Sequence, residues 1–145
     1  MSPRQQLLRQ LSVTLVSTVS PHPGSGRMHD LDEAPCIAIE GVFGDRPLTV
    51  FHDNDEQRVH RCVLECRLGK PRAGSEDVVH ARALDLNFRM SAEGIASIAI
   101  ERSSGELIYM QPCAISPLGP TPLVELFVAT EPIRQRITQF LFADT

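Results

Sequence analysis

Five histidines and four cysteines are the side chains of this 145-residue sequence best suited to doing chemistry, and their spacing decides what they can do together. His52, His60, Cys62 and Cys66 include the donor types of a zinc site. The run from Val59 to Leu68 alternates apolar and polar residues, however, and reads as a strand. In an extended chain Cys62 and Cys66 stand more than about 12 Å apart, too far to share a tetrahedral ion or to bridge each other. Cys36, Cys62, Cys66 and Cys113 all lie among Leu, Val and Ile. That is the setting of inert, reduced thiols that behave as small hydrophobes, not of a nucleophile. Asp30, Asp32 and Glu33, and then Asp53, Asp55 and Glu56, form acidic clusters in loops. The second lacks the glycine and terminal glutamate of an EF-hand, so both read as solvated loop charge. Glycines occur singly at turns, without a P-loop or a GxGxxG run. The expectation is a protein that is not an enzyme, with no metal, no cofactor and no catalytic group.

Composition narrows the partners. A formal charge of −4 argues against gripping nucleic acid by its phosphates, and one Tyr with no Trp leaves little to stack bases on. No apolar run approaches the roughly 20 residues of a membrane-spanning helix. Arg4 and Arg9 precede LSVTLVSTVS, but that run is rich in Ser and Thr and no small-x-small site follows before Pro21. The chain is expected to be cytoplasmic and unprocessed, a single domain over residues 1–145.

The elements follow from period and punctuation. Ser2 and Pro3 open an amphipathic helix with Leu7, Leu8, Leu11 and Leu15 on one stripe, its end blurred by β-branched residues from Val13. Pro21 to Gly26 reads as loop. Strands are expected at Cys36–Phe43, Leu48–Phe51 and Val59–Leu68, with Gly44-Asp45-Arg46-Pro47 turning the first into the second. Ser75 is placed as N-cap of a helix that begins with Glu76 and Asp77 and ends at Gly94. Two strands follow, around the turn Arg102-Ser103-Ser104-Gly105. Thr121 and Pro122 start a last helical region, which Pro132 is expected to break near Thr130, with Thr130 capping a second piece. The order α-β-β-β-α-β-β-α indicates an α+β fold with an antiparallel sheet flanked by helices.

The stretch from Gly74 to Ile115 carries a surplus of apolar surface. Val79, Ala83 and Leu86 recur at helical spacing, and so do Ala81, Leu84 and Phe88. The strand after Gly94 has Ala96, Ile98 and Ile100 on one side and Ile95, Ser97 and Ala99 on the other. Either a second copy of the chain covers part of this surface, or both sides pack within one subunit. Covering by a second copy is the more economical reading.

On ARALDLNFRM, the strand IASIAIE, the turn RSSG and ELIYMQPCAI, the chain resembles the class I type III secretion chaperones, the Tir-chaperone (CesT/SycE) family. The likeness runs from the Leu7–Leu15 helix to the last helix and includes length, acidity and element order. It implies a cytoplasmic, bacterial homodimer that binds the N-terminal region of one or more secreted effectors and keeps it soluble, with the secretion-system ATPase as a further partner. It implies a dimer interface at Val79, Ala83, Leu84, Leu86, Phe88, Ile95 and Ile98. It implies effector-binding grooves at Leu7, Leu8, Leu11, Ile37, Ile39, Val42, Val50 and Phe51. Two other readings stand beside it: a small ligand-binding or enzymatic α+β domain with a pocket between sheet and helices, and an adaptor of the same fold outside secretion.

Overall fold

A computed structural model describes residues 1–14, 16–21, 32–94, 96–115 and 121–145. The order is α1 (Pro3–Thr14), β1 (Val16–Pro21), β2 (Cys36–Phe43), β3 (Arg46–Asp53), β4 (Arg61–Gly69), α2 (Glu76–Glu93), β5 (Ser97–Ile100), β6 (Leu107–Ala114) and α3 (Thr121–Phe142). The strands form one antiparallel sheet ordered β1-β2-β3-β4-β6-β5. This is the α+β fold read from the sequence, with one strand more. The segment Val16–Pro21, read as the end of α1 and the start of a loop, pairs with β2 as an edge strand. Leu15 lies outside the described residues, as does the part of the expected loop after Pro21. Proline is tolerated at the end of an edge strand, where its missing N–H need not join a ladder.

Helix α1 starts as the sequence suggests and with a fuller cap. The Ser2 hydroxyl accepts from the Gln5 N–H at 3.1 Å, and the Gln5 side chain accepts from the Ser2 N–H at 3.0 Å, a reciprocal capping box. The β2–β3 turn is tighter than expected, because Phe43 still pairs with Arg46 and only Gly44 and Asp45 turn. Gly44 takes φ 64° at the first turn position, the requirement of a II′ hairpin. In β4 the alternation holds: Cys62, Leu64, Cys66 and Leu68 are buried.

Two cap assignments are corrected. Ser75 precedes α2 but makes no side-chain cap bond; instead the Glu76 carboxylate folds back and accepts from the Gly74 N–H at 2.8 Å. Thr130 caps nothing, because α3 runs unbroken through Pro132. The Thr130 hydroxyl donates to the Leu126 carbonyl one turn back, at 2.7 Å. Pro132 and Val128 both lie on the exposed side of α3, so the carbonyl that the proline leaves without a donor opens to water. Gly94 ends α2 as expected, at φ 68°, with its N–H reaching the Met90 and Ser91 carbonyls.

The core lies between one face of the sheet and the helices. Register stacks Ile39, Val50 and Leu64 in one row, and Cys66, Tyr109 and Ile98 in another. Leu7 and Leu11 of α1, Val79 and Ala83 of α2, and Phe127, Ile137 and Leu141 of α3 close over these rows. Two polar clamps fix the helices. Arg4 of α1 is buried, and its Nε donates to His52 Nδ1 at 2.9 Å while its Nη atoms reach the Ala34, Pro35 and His52 carbonyls. Arg82 of α2 donates through Nη1 to the Phe140, Leu141 and Ala143 carbonyls, capping α3.

Candidate functional site

Helix α2 has one stripe too many for its own subunit. Val79 and Ala83 point into the core, with Leu86 and Met90 half-buried against it. The neighbouring stripe has no such cover: Leu84 and Phe88 are 71% and 78% exposed. Leu84 and Phe88 are four residues apart, so they stand side by side as a pair of knobs. Beside them a shallow apolar groove of about 370 Å³ runs between α2 and β5, floored by Ala83 and Ile98 and edged by Leu84, Ala99 and Ile100.

β5 is the outer strand on this side, and its edge is partly blunted. The Ile98 N–H, which points away from β6, donates to Asn87 Oδ1 of α2 at 2.9 Å. A strand added here would have to displace Asn87, so this edge favours contact through side chains over continuation of the sheet. Of the residues expected at a dimer interface, Leu84 and Phe88 are the accessible ones and Leu86 is half-buried. Val79, Ala83 and Ile98 are core residues of the subunit, because their helical and strand periods turn them onto the sheet. Ile95 lies outside the described residues.

The expected effector grooves divide more sharply. Leu7, Leu11, Ile37, Ile39 and Val50 are at most 1% exposed and fill the core. They are therefore not groove-lining residues, a correction with a simple cause. The stripe of α1 and the inward positions of β2 and β3 are each other's cover. Leu8 and Phe51 stay half-buried, and Val42 is exposed beside the β2–β3 turn. Phe51 lies between Ala38 and Val63 on the sheet face away from the core row.

A second concavity was not foreseen. A cleft of about 560 Å³ opens between the β2–β3 turn, β4 and the middle of α3. Phe43 and Phe127 meet at its wall with ring centroids 5.3 Å apart, tilted by 58°. Leu48, Leu64 and Cys66 line its floor. At its rim Glu131 is shared: Arg46 Nε lies 3.1 Å from one oxygen, Arg134 engages both oxygens at 2.9 and 3.1 Å, and Gln135 donates at 3.2 Å. Arg134 first, and Arg46 less, hold the Glu131 carboxyl below the usual range. Burial pushes the Cys66 thiol up to about 11, so it is a protonated lining group. The sequence signal for this rim was the Glu131/Arg134 spacing on one helix face. Nothing in the sequence placed the Gly44–Asp45 turn opposite it.

The metal-like grouping is dispersed. His52 has both ring nitrogens engaged, Nδ1 by Arg4 and Nε2 by the Val59 carbonyl at 2.8 Å, which fixes the tautomer with the proton on Nε2. Cys62 faces Cys113 across β4 and β6, and Cys66 faces Tyr109. Among the described residues no three His, Cys, Asp or Glu side chains converge as an ion would need, and no helix is long and apolar enough to cross a membrane.

No family model and no protein of described function matches the chain. Among solved structures it is similar to a chain of the HopA1-SchA chaperone-effector complex, at 13% identity and a TM-score of 0.46, over 76% of this chain and 80% of that one. At that distance the likeness does not fix a family.

Proposed function

We propose that this chain is a homodimeric chaperone of the class I type III secretion kind, which holds the N-terminal region of one or more effectors extended and soluble in the bacterial cytoplasm. The observation that carries the reading is the Leu84–Phe88 pair standing open beside an apolar groove on the same helix. Knob and groove on one surface are what a two-fold contact needs, since each copy offers both and receives both. Asn87 at the β5 edge directs that contact to the α2 faces. Holding a disordered client needs spaced apolar sites and no bond-making step. Val42, Phe51 and the Phe43–Phe127 cleft supply such sites elsewhere on the subunit. The secretion-system ATPase belongs to the same proposal as a later partner.

Two measurements test it. Sedimentation at micromolar concentration should give twice the subunit mass, and Leu84→Glu should return it to one. Co-expression with the product of the adjacent gene should then yield a complex whose client is protected from protease at its N-terminal end. A wild-type monomer ends the dimer. A dimer that protects no client leaves the second reading, a small ligand-binding domain, which the cleft between sheet and α3 favours.

A further inference from the structure

We propose that Cys62 and Cys113 are a reversible cross-strand disulfide site, closed by a low-molecular-weight disulfide such as oxidised glutathione. The case begins with register. Cys62 on β4 and Cys113 on β6 are direct partners in the antiparallel ladder. Two steps along, the Ile115 N–H donates to the His60 carbonyl at 2.9 Å, which makes that opposed pair a hydrogen-bonded one. Such pairs recur every second residue, so Cys62 and Cys113 form the next. Their Cα atoms then lie about 5.5 Å apart, near the middle of the range that disulfides span. Closing the bond draws the Cβ atoms from about 5.5 Å to about 3.8 Å, a movement of about 1.7 Å that the two strands share.

Both side chains point to the inner face, 3% and 8% exposed, and the Cys113 S–H donates to the Gln111 carbonyl at 3.3 Å. The facing Cys62 thiol holds the Cys113 thiol below its ordinary value, while Cys113 first and then burial push Cys62 well above. Cys113, read from the sequence as an inert thiol, is thus both the more exposed and the more readily ionised, and in this proposal it is the attacking group. Its thiolate displaces one glutathione thiolate and forms a mixed disulfide. Cys62 then loses its proton and attacks the Cys113 sulfur, releasing the second glutathione. Two protein thiols are oxidised and one glutathione disulfide is reduced to two thiols. The other cysteines have no such partner: all four are described, Cys66 opposes Tyr109 and Cys36 opposes Asp53. The bond would tie the two strands that bracket the whole α2–β5 excursion.

The test equilibrates the native full-length chain with reduced and oxidised glutathione, then quenches with acid and alkylates. The expected product is lighter than the reduced chain by two hydrogens, blocks two of the four thiols and joins the Cys62 and Cys113 peptides. Dithiothreitol should reverse it. A variant carrying Cys36→Ser and Cys66→Ala, which leaves only the proposed pair, should oxidise to the same extent. Circular dichroism on the oxidised sample should match the reduced, which shows that the bond is accommodated by the native sheet. Accumulation of a stable glutathione adduct overturns the proposal. So does a two-hydrogen loss that survives Cys62→Ala, or full alkylation after equilibration with excess glutathione disulfide.

Discussion

Phe88→Ala is the sharpest probe of the proposed dimer, because it removes surface that its own subunit does not use. Phe88 is 78% exposed, so truncation should leave the fold intact. Full burial of an aromatic or aliphatic side chain is worth about 1.5–3 kcal/mol, and covering only the open part of Phe88 is worth about 1–2 kcal/mol. In a two-fold interface every residue acts twice, which raises the loss to about 2–4 kcal/mol. That corresponds to roughly a 30- to 700-fold weaker dimer. Sedimentation velocity over a hundredfold range of concentration reads the shift directly, and far-ultraviolet circular dichroism verifies the fold. Val79→Ala on the inner stripe is the contrast: Val79 is fully buried, so it should lower the unfolding midpoint with a smaller effect on association. A Phe88→Ala dimer within threefold of wild type would show that α2 does not present the interface.

Four further outcomes follow from the clamps and caps. Arg4→Ala leaves His52 Nδ1 and several inward carbonyls without their donor, and should cost about 3 kcal/mol in urea unfolding. Burial first, and the Arg4 charge as well, lower the His52 pKa against the opposing Val59 bond, so the native state keeps the ring neutral. The unfolded chain takes up that proton first, so stability should be full above about pH 6.5 and fall as pH drops below it. His52→Gln should flatten this dependence, and an unchanged profile would refute the assignment. Arg82→Ala frees the last carbonyls of α3 and should cost about 1 kcal/mol, with faster amide exchange in the final turn. Gly94→Ala meets no atom within 4 Å but must hold φ 68°, so it should destabilise by about 1 kcal/mol through backbone strain alone.

The parts of the fold that local chemistry determines were legible in the sequence. Ser2-Pro3 announced the start of α1, Gly94 the end of α2, and the Cys62-to-Leu68 alternation an inward strand face. What escaped depended on neighbours distant in the chain. VSTVSP is too polar to read as a strand alone and becomes one because β2 offers an open edge. Pro132 is absorbed because its side of α3 faces water, which no local rule states. The same limit governs the surfaces. An apolar position at the correct period names a covered side chain, yet it does not say what covers it. Leu7, Ile37 and Val50 are buried together in one core, whereas Leu84 and Phe88, equally apolar and at helical spacing, were left outside.

The guanidinium of Arg82 has an effect beyond tying off a helix end. It sits on α2 two residues before the knobs and reaches over to α3, while Val79 and Ala83 key the helix into the sheet. Held at both flanks, α2 cannot roll about its own axis, so the two protruding side chains come preset in azimuth. An incoming surface finds them already aimed, and little rotational freedom remains to be surrendered on contact.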